Sequence, residues 1–228
     1  MKIGGLQKVT LIDYPGKVAC TVFLSGCNFR CPFCYSPELV LPEEIKKHPS
    51  IKERDFFDFL SEKRGLLDGC VICGGEPTIY REELIDFCKK IKEMGFSIKL
   101  DTNGSNPDVL TKAIPLIDYI AMDIKSPLDQ RYKEFSVIDC LDRIKESIEI
   151  VKKSGIDYEF RTTITNHSVD DILEIAEYLS PAKKYYIQRF VGEKENISGE
   201  KYTLKEEDLK LIEESIKNLF EVDRKSVV

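Results

Sequence analysis

Cys27, Cys31 and Cys34 lie on one short segment, Gly26-Cys27-Asn28-Phe29-Arg30-Cys31-Pro32-Phe33-Cys34-Tyr35. The spacing is C-x3-C-x2-C. Thiolates are the preferred ligands of iron–sulfur centres, and three of them can grip three irons of a cubane while leaving the fourth without a protein ligand. An open position on a redox centre is what a substrate-binding 4Fe–4S cluster requires. A structural zinc site is the competing reading, because it takes four ligands, commonly as two close pairs. Cys70 and Cys73 could supply the second pair, making a zinc-stabilised binding module or a simple electron carrier. Those two lie within an apolar strand, however, where side chains three apart point to opposite faces. Cys20, Cys70, Cys88 and Cys140 read better as buried, unligated thiols; Cys73 abuts the next motif and stays open between the two roles.

Such a loop needs a scaffold, and the chain alternates strand-like and helix-like stretches. Strands are expected at residues 18–24, 66–72, 96–100, 117–122, 158–163 and 185–190. Amphipathic stretches separate them. The first covers about 52–64 with Phe56, Phe57 and Leu60, stopped by Gly65. The second covers about 81–94 with Leu84, Phe87, Cys88 and Ile91 on one face and Gly95 as its stop. A third opens at Asn106-Pro107, a fourth buries Leu141, Ile144, Ile148 and Val151, and a fifth is capped by Ser168. The last begins with a capping box, Thr203 with Glu206, and packs Leu209, Ile212, Ile216 and Leu219.

Six strand–helix units in order imply a parallel sheet with right-handed crossovers. A closed eight-stranded barrel takes about 250 residues. Six units in 228 residues therefore predict an α/β fold of the open, partial TIM-barrel type, (β/α)6. A doubly wound flat sheet is the competing architecture. One domain is expected over residues 1–228, with its core at about 17–220, an exposed loop at 192–201 and a loose tail at 221–228. The net charge of −6 and a pI near 5.2 argue against a nucleic-acid partner. No run approaches the roughly 18 apolar residues of a membrane span, and MKIGGLQKVT lacks the apolar core of a secretory signal. A soluble, cytoplasmic protein is expected, with reduced cysteines serving as ligands rather than disulfides.

The cysteine loop, with an aromatic Tyr35 after its third cysteine, resembles the signature of the radical S-adenosylmethionine superfamily. Further matches follow in order. Gly74-Gly75-Glu76-Pro77 is similar to the superfamily's GGE motif, which meets the amino group of the cofactor's methionine part. Asp101-Thr102-Asn103-Gly104 and Asp123-Ile124-Lys125 resemble motifs of the glycyl-radical-enzyme activases. Gly5-Leu6-Gln7-Lys8 with Asp13-Tyr14-Pro15-Gly16-Lys17 is similar to the branch that activates anaerobic ribonucleotide reductase. The resemblance covers nearly the whole chain. It implies one 4Fe–4S cluster and S-adenosylmethionine as cofactors, and reductive cleavage to methionine and a 5′-deoxyadenosyl radical. That radical would take hydrogen from a glycine of a partner glycyl-radical enzyme, here anaerobic ribonucleotide reductase, with electrons from a ferredoxin- or flavodoxin-type reductant. A radical S-adenosylmethionine reaction on a small molecule or peptide is the enzymatic alternative.

The motifs fall at the C-terminal ends of the expected strands, the rim where barrels of parallel strands assemble active sites. Phe33, Cys34, Tyr35, Gly74, Gly75, Glu76, Asp123, Ile124, Lys125, Arg161, Gln188 and Arg189 are the cofactor-binding candidates. The resemblance gives Phe33 and Tyr35 a place against adenine and Lys125 one at the ribose or carboxylate; Glu76 could instead cap the next helix. Arg161 sits in an apolar strand and needs a carboxylate, from the cofactor's methionine or from a neighbouring Asp or Glu. Strand alternation lets only one of Gln188 and Arg189 point inward. Asp101, Thr102, Ala121 and Asp123 could hold a monovalent cation, as in some activases. His48 and His167 read as solvated loop residues, and Arg30 with Lys46-Lys47 as surface.

Overall fold

The computed structural model describes residues 1–190, 195–202, 205–216 and 224–226. Its single sheet has eight strands in the order β1 to β8. At the centre are six consecutive parallel strands: β2 (Ala19–Leu24), β3 (Gly69–Gly74), β4 (Ser97–Thr102), β5 (Tyr119–Asp123), β6 (Asp157–Ile164) and β7 (Tyr185–Arg189). β1 (Ile3–Thr10) runs antiparallel beside β2, and the short β8 (Arg224–Ser226) parallel beside β7. The order never reverses, whereas a doubly wound sheet is defined by a reversal. Among the described residues β1 and β8 do not pair, so this is an open, partial barrel of the TIM type with six strand–helix units.

The strand period of two separates two environments. Outward positions such as Cys70, Ile72, Ile98, Leu100, Ile120, Met122 and Phe160 join the main apolar core. Helices pack on that face with the i, i+3, i+4 spacing of amphipathic stretches. α3 (Glu53–Glu62) buries Phe56 and Leu60, and α4 (Glu82–Glu93) buries Leu84, Phe87, Cys88 and Ile91. Phe56 stacks on Phe87 at 5.1 Å. α5 (Pro107–Ala113), α6 (Leu141–Lys153), α7 (Val169–Leu179) and α8 (Glu206–Ile216) continue the layer. Inward positions line a cavity instead, where Lys99, Asp101, Asp123, Glu159 and Arg161 stand beside Phe23 and Val71.

Several expectations shift. β1 precedes the core expected at about 17–220; its adjacent glycines weaken a strand signal, and pairing with β2 supplies what local preference lacks. β3 starts at Gly69 rather than residue 66, because Leu66 and Leu67 close the turn after α3, both donating backbone N–H to Lys63 O. Two short helices, α1 (Pro37–Val40) and α2 (Pro42–Lys47), follow the cysteine loop, each with proline at its first position. Residues 224–226, expected in a loose tail, form β8. Thr203 and Leu219, invoked for the last helix, and residues 192–194 of the expected loop lie outside the described residues.

The cap of α7 is as expected and more complete: Ser168 Oγ accepts from Asp171 N–H at 3.2 Å, and the Asp171 carboxylate accepts from Ser168 N–H at 2.9 Å. Ser168→Ala removes half of this box and should cost about 1 kcal/mol. The urea midpoint of unfolding should fall with its slope unchanged.

Candidate active site

The loop after β2 is fastened to the turn after β3, backbone to backbone. Gly75 N–H donates to Leu24 O (2.8 Å), Glu76 N–H to Gly26 O (2.8 Å), and Gly26 N–H to Leu39 O (2.6 Å). A Cβ on Gly75 would stand 2.0 Å from Gly26 O, and one on Gly74, at φ +119°, 2.3 Å from Leu24 O. Only glycine permits that approach. Glu76, 0% exposed, completes the joint. Its Oε1 accepts from Thr78 N–H (3.0 Å), Thr78 Oγ1 (2.5 Å) and Thr102 Oγ1 (2.7 Å), and its Oε2 from Asn103 N–H (2.6 Å). Burial pushes its carboxyl above the ordinary carboxylate range, although all four donors oppose the shift. Both Glu76 oxygens thus serve the protein, capping a 3-10 turn (Pro77–Tyr80) and tying β3 to β4. Asn28 extends the joint from the cysteine loop: its Nδ2 donates to Ser105 Oγ (2.7 Å), and its Oδ1 accepts from Asn103 Nδ2 (3.0 Å).

Cys27, Cys31 and Cys34 are free thiols lining one cavity of about 830 Å³, which Tyr35, Gly74, Gly75 and Glu76 also line. Burial pushes the thiol of Cys27 up to about 12, that of Cys31 to about 11, and that of Cys34 in the same direction. They are therefore protonated when free, and metal binding must displace those protons. Three clustered thiols without a disulfide fit a cubane, whose protein ligands sit on separate irons. A mononuclear zinc site needs its ligands to converge, and among the described residues no three His, Cys, Asp or Glu side chains do. Cys73 faces the cavity and Cys70 the core, on opposite sides of β3.

Below the cysteines the cavity is lined by charge. Arg161 Nε donates to Asp123 Oδ1 (2.7 Å) and Arg161 Nη1 to Asp101 Oδ2 (2.9 Å), with Glu159 Oε1 at 3.9 Å. Lys125 Nζ holds Asp123 Oδ2 at 2.8 Å, and Lys99 pairs with Asp101. Glu159 accepts from Tyr119 Oη at 2.8 Å. Burial alone would raise the carboxyls of Asp101 and Asp123, but Arg161, with Lys99 and Lys125, holds both below the ordinary range. Asp101 and Asp123 are the neighbouring carboxylates that Arg161 pairs with. The Arg161 guanidinium thus bridges Asp101 and Asp123. Thr102, one of the cation-site candidates, spends its hydroxyl on Glu76.

The remaining candidates divide. Gln188 lines the cavity and accepts from Thr163 Oγ1 (3.2 Å), whereas Arg189 is exposed and paired with Glu206 (3.4 Å). Ala121 and Ile124 are fully buried outside the cavity wall. Phe33 lines the cavity too, packed against Phe135 (6.0 Å) and under Lys125 Nζ (5.8 Å from its ring centroid). Tyr35 is 38% exposed at the cavity. The histidines are not simply solvated: each is half-buried, His48 Nε2 lying 2.9 Å from Gly4 O and His167 Nε2 3.0 Å from Lys125 O. Sequence reasoning missed Lys99 and Glu159, and it quoted Asn103 within a motif without giving it a role. A signal existed for the first two, since Lys99/Asp101 and Glu159/Arg161 are charges two apart in apolar strands, the period of one sheet face.

The fold and cavity together define an α/β open-barrel protein with a three-cysteine loop at its C-terminal rim. The profile of the Radical SAM superfamily matches residues 21–179, and the chain belongs to that superfamily, whose members use a 4Fe–4S cluster and S-adenosylmethionine. A protein of Methanocaldococcus jannaschii described as a glycyl-radical enzyme activating enzyme is 36% identical over 200 residues, covering 82% of this chain and 79% of the relative. The pyruvate formate-lyase-activating enzyme of Clostridium pasteurianum is 30% identical over 141 residues, 58% of this chain and 56% of that one. In fold, Streptococcus suis SuiB bound to its precursor peptide superposes with a TM-score of 0.69 at 15% identity, covering 89% of this chain and 48% of SuiB.

Two substitutions test the joint and the charges. Gly75→Ala should destabilise the metal-free protein by about 1–3 kcal/mol through overpacking and lower the iron retained after anaerobic reconstitution. Arg161→Gln leaves two buried aspartates short of a partner and should cost about 3 kcal/mol at pH 7. Because the folded-state pKa values of Asp101 and Asp123 are depressed, their stabilisation is present above the unfolded value of about 3.9 and lost as pH falls through the folded values. The gap between wild type and Arg161→Gln in urea unfolding should therefore be widest near pH 7 and narrow below pH ~4.

Proposed function

We propose that this chain is a glycyl-radical-enzyme activase whose partner is an anaerobic ribonucleotide reductase and whose electrons come from a ferredoxin- or flavodoxin-type reductant. In this reading residues 1–228 act as one domain. Cys27, Cys31 and Cys34 hold the cluster, and the turn at Gly74, Gly75 and Glu76 presents close backbone to S-adenosylmethionine. When bound, the two cofactors supply methionine and a 5′-deoxyadenosyl radical. The observation that carries the reading is the meeting of three free thiols with that glycine turn on the wall of one cavity. The chain's own residues place and enclose. Glu76 and Asn28 lock the rim, while Arg161 fixes the carboxylates of Asp123 and Asp101, one and two strands away.

The cavity charges favour a protein segment over an anionic small molecule. Lys99, Lys125 and Arg161 are each paired with a carboxylate, so none is left to recruit a substrate phosphate without first giving up a buried partner. A peptide backbone bearing glycine is neutral and makes no such demand.

Anaerobic reconstitution should load four irons per chain, and reduction with S-adenosylmethionine should then release 5′-deoxyadenosine. Cys27→Ser, Cys31→Ser and Cys34→Ser should each abolish that release. Absence of 5′-deoxyadenosine from the loaded wild type would refute the radical chemistry. Adding an anaerobic ribonucleotide reductase should produce a glycyl radical visible by electron paramagnetic resonance; its absence, with 5′-deoxyadenosine still formed, would reassign the substrate to a small molecule or another peptide.

A further inference from the structure

The segment after β5 is clamped more tightly than a strand end requires. All four backbone polar groups of Ile124 and Lys125 are taken from outside it. Ile124 N–H donates to Arg161 O (2.8 Å), and Ile124 O accepts from Thr162 Oγ1 (2.9 Å). Lys125 N–H donates to the buried Tyr132 Oη (3.2 Å), and Lys125 O faces His167 Nε2 at 3.0 Å. His167 Nδ1 accepts Thr165 N–H (3.3 Å), so its proton sits on Nε2 and is donated to Lys125 O. Burial lowers the imidazole pKa and keeps the ring in this neutral form.

The clamp determines where the Lys125 ammonium sits. Asp123 holds it from one side at 2.8 Å, and the ring of Phe33 lies beneath it with its centroid 5.8 Å away. Phe33 stands between Cys31 and Cys34 in the loop, and the Lys125 charge acts on both thiols in the direction that favours the thiolate. Asp123 spends its other oxygen on Arg161, so its charge is shared between two cations, and Lys125 is the one beside the cysteine loop. The potential of an iron–sulfur centre follows the net charge around it, and a fixed cation favours the reduced, more negative state. The second shell of a metal site orients what tunes it.

We propose that Lys125 raises the reduction potential of the cluster held by Cys27, Cys31 and Cys34, and that His167 and Tyr132 are positioning residues that keep its ammonium there. This rests on the cluster assignment above. The role differs from contact with the cofactor's ribose or carboxylate, and it gives His167 work that its sequence context did not indicate.

Wild type, Lys125→Met, His167→Leu, His167→Gln and the double variant Lys125→Met/His167→Leu are reconstituted anaerobically. Midpoint potentials are then measured by redox titration followed by electron paramagnetic resonance, without S-adenosylmethionine. Thermal unfolding of each metal-free protein separates loss of fold from loss of tuning, and Tyr132→Phe, which deletes only a hydroxyl, serves if His167→Leu does not fold. The potential should drop in Lys125→Met and by a smaller amount in His167→Leu. It should recover in His167→Gln, whose amide N–H can replace Nε2–H, and the double variant should match Lys125→Met. An unchanged potential in Lys125→Met overturns the proposal, as does a His167→Leu shift that is just as large when Lys125 is already methionine. A wild type that takes up no iron would instead refute the cluster assignment.

Discussion

The carbonyl oxygen of Gly26 lies so close to Gly75 that no side chain fits between them, and the rim of the cavity is built outward from that contact. Because the two backbones touch, Glu76 N–H reaches Gly26 O, and the cysteine loop leaves β2 in one direction only. Glu76 then turns its buried carboxylate onto β4 and fixes the Asn103 loop, which returns through Asn28 to the cysteine loop. A ring of hydrogen bonds thus joins the ends of three strands. Each buried donor or acceptor left unpaired would cost about 1–3 kcal/mol, so the ring is strongly held as a unit. It positions the thiols without using any atom of the thiols themselves.

Beneath the rim the open barrel keeps ionised groups on its inner face at a density that an apolar core would not tolerate. Removing such charges from water is expensive unless each finds a partner. Here β4, β5 and β6 bring those partners together through parallel register, with Asp123 opposite Arg161 and Asp101 one strand further on. Arg161 is central because its guanidinium can address two carboxylates with fixed geometry, which a lysine cannot do. The result is a cavity floor that is highly polar yet locally neutral.

Much of the architecture was legible because it rests on local patterns. Six apolar stretches separated by amphipathic ones give a parallel open barrel almost irrespective of detail, since helices must cover the outward face. The elements that were not legible depend on neighbours. β1, with Gly4 and Gly5, is a strand because β2 offers it hydrogen bonds, and residues 224–226 pair because β7 has a free edge. Ser168 announced its helix through a side chain three residues from its target; Leu66 and Leu67 misled because apolarity alone does not separate a strand from the turn that seals a helix.

For the site, the chemistry was written in residue type and spacing, and the geometry was not. C-x3-C-x2-C, the paired glycines and the strand-end positions identify the thiol loop and its facing turn from sequence by itself, because each depends on residues a few positions apart. Which partner Arg161 takes, whether Gln188 or Arg189 points inward, why Glu76 is spent on capping and how His167 comes to hold Lys125 are decided by groups up to 60 residues apart. Such contacts exist only after the sheet has closed its register, and no local rule encodes them. The cysteine loop was thus a property of the sequence, and the charge and hydrogen-bond frame around it a property of the fold.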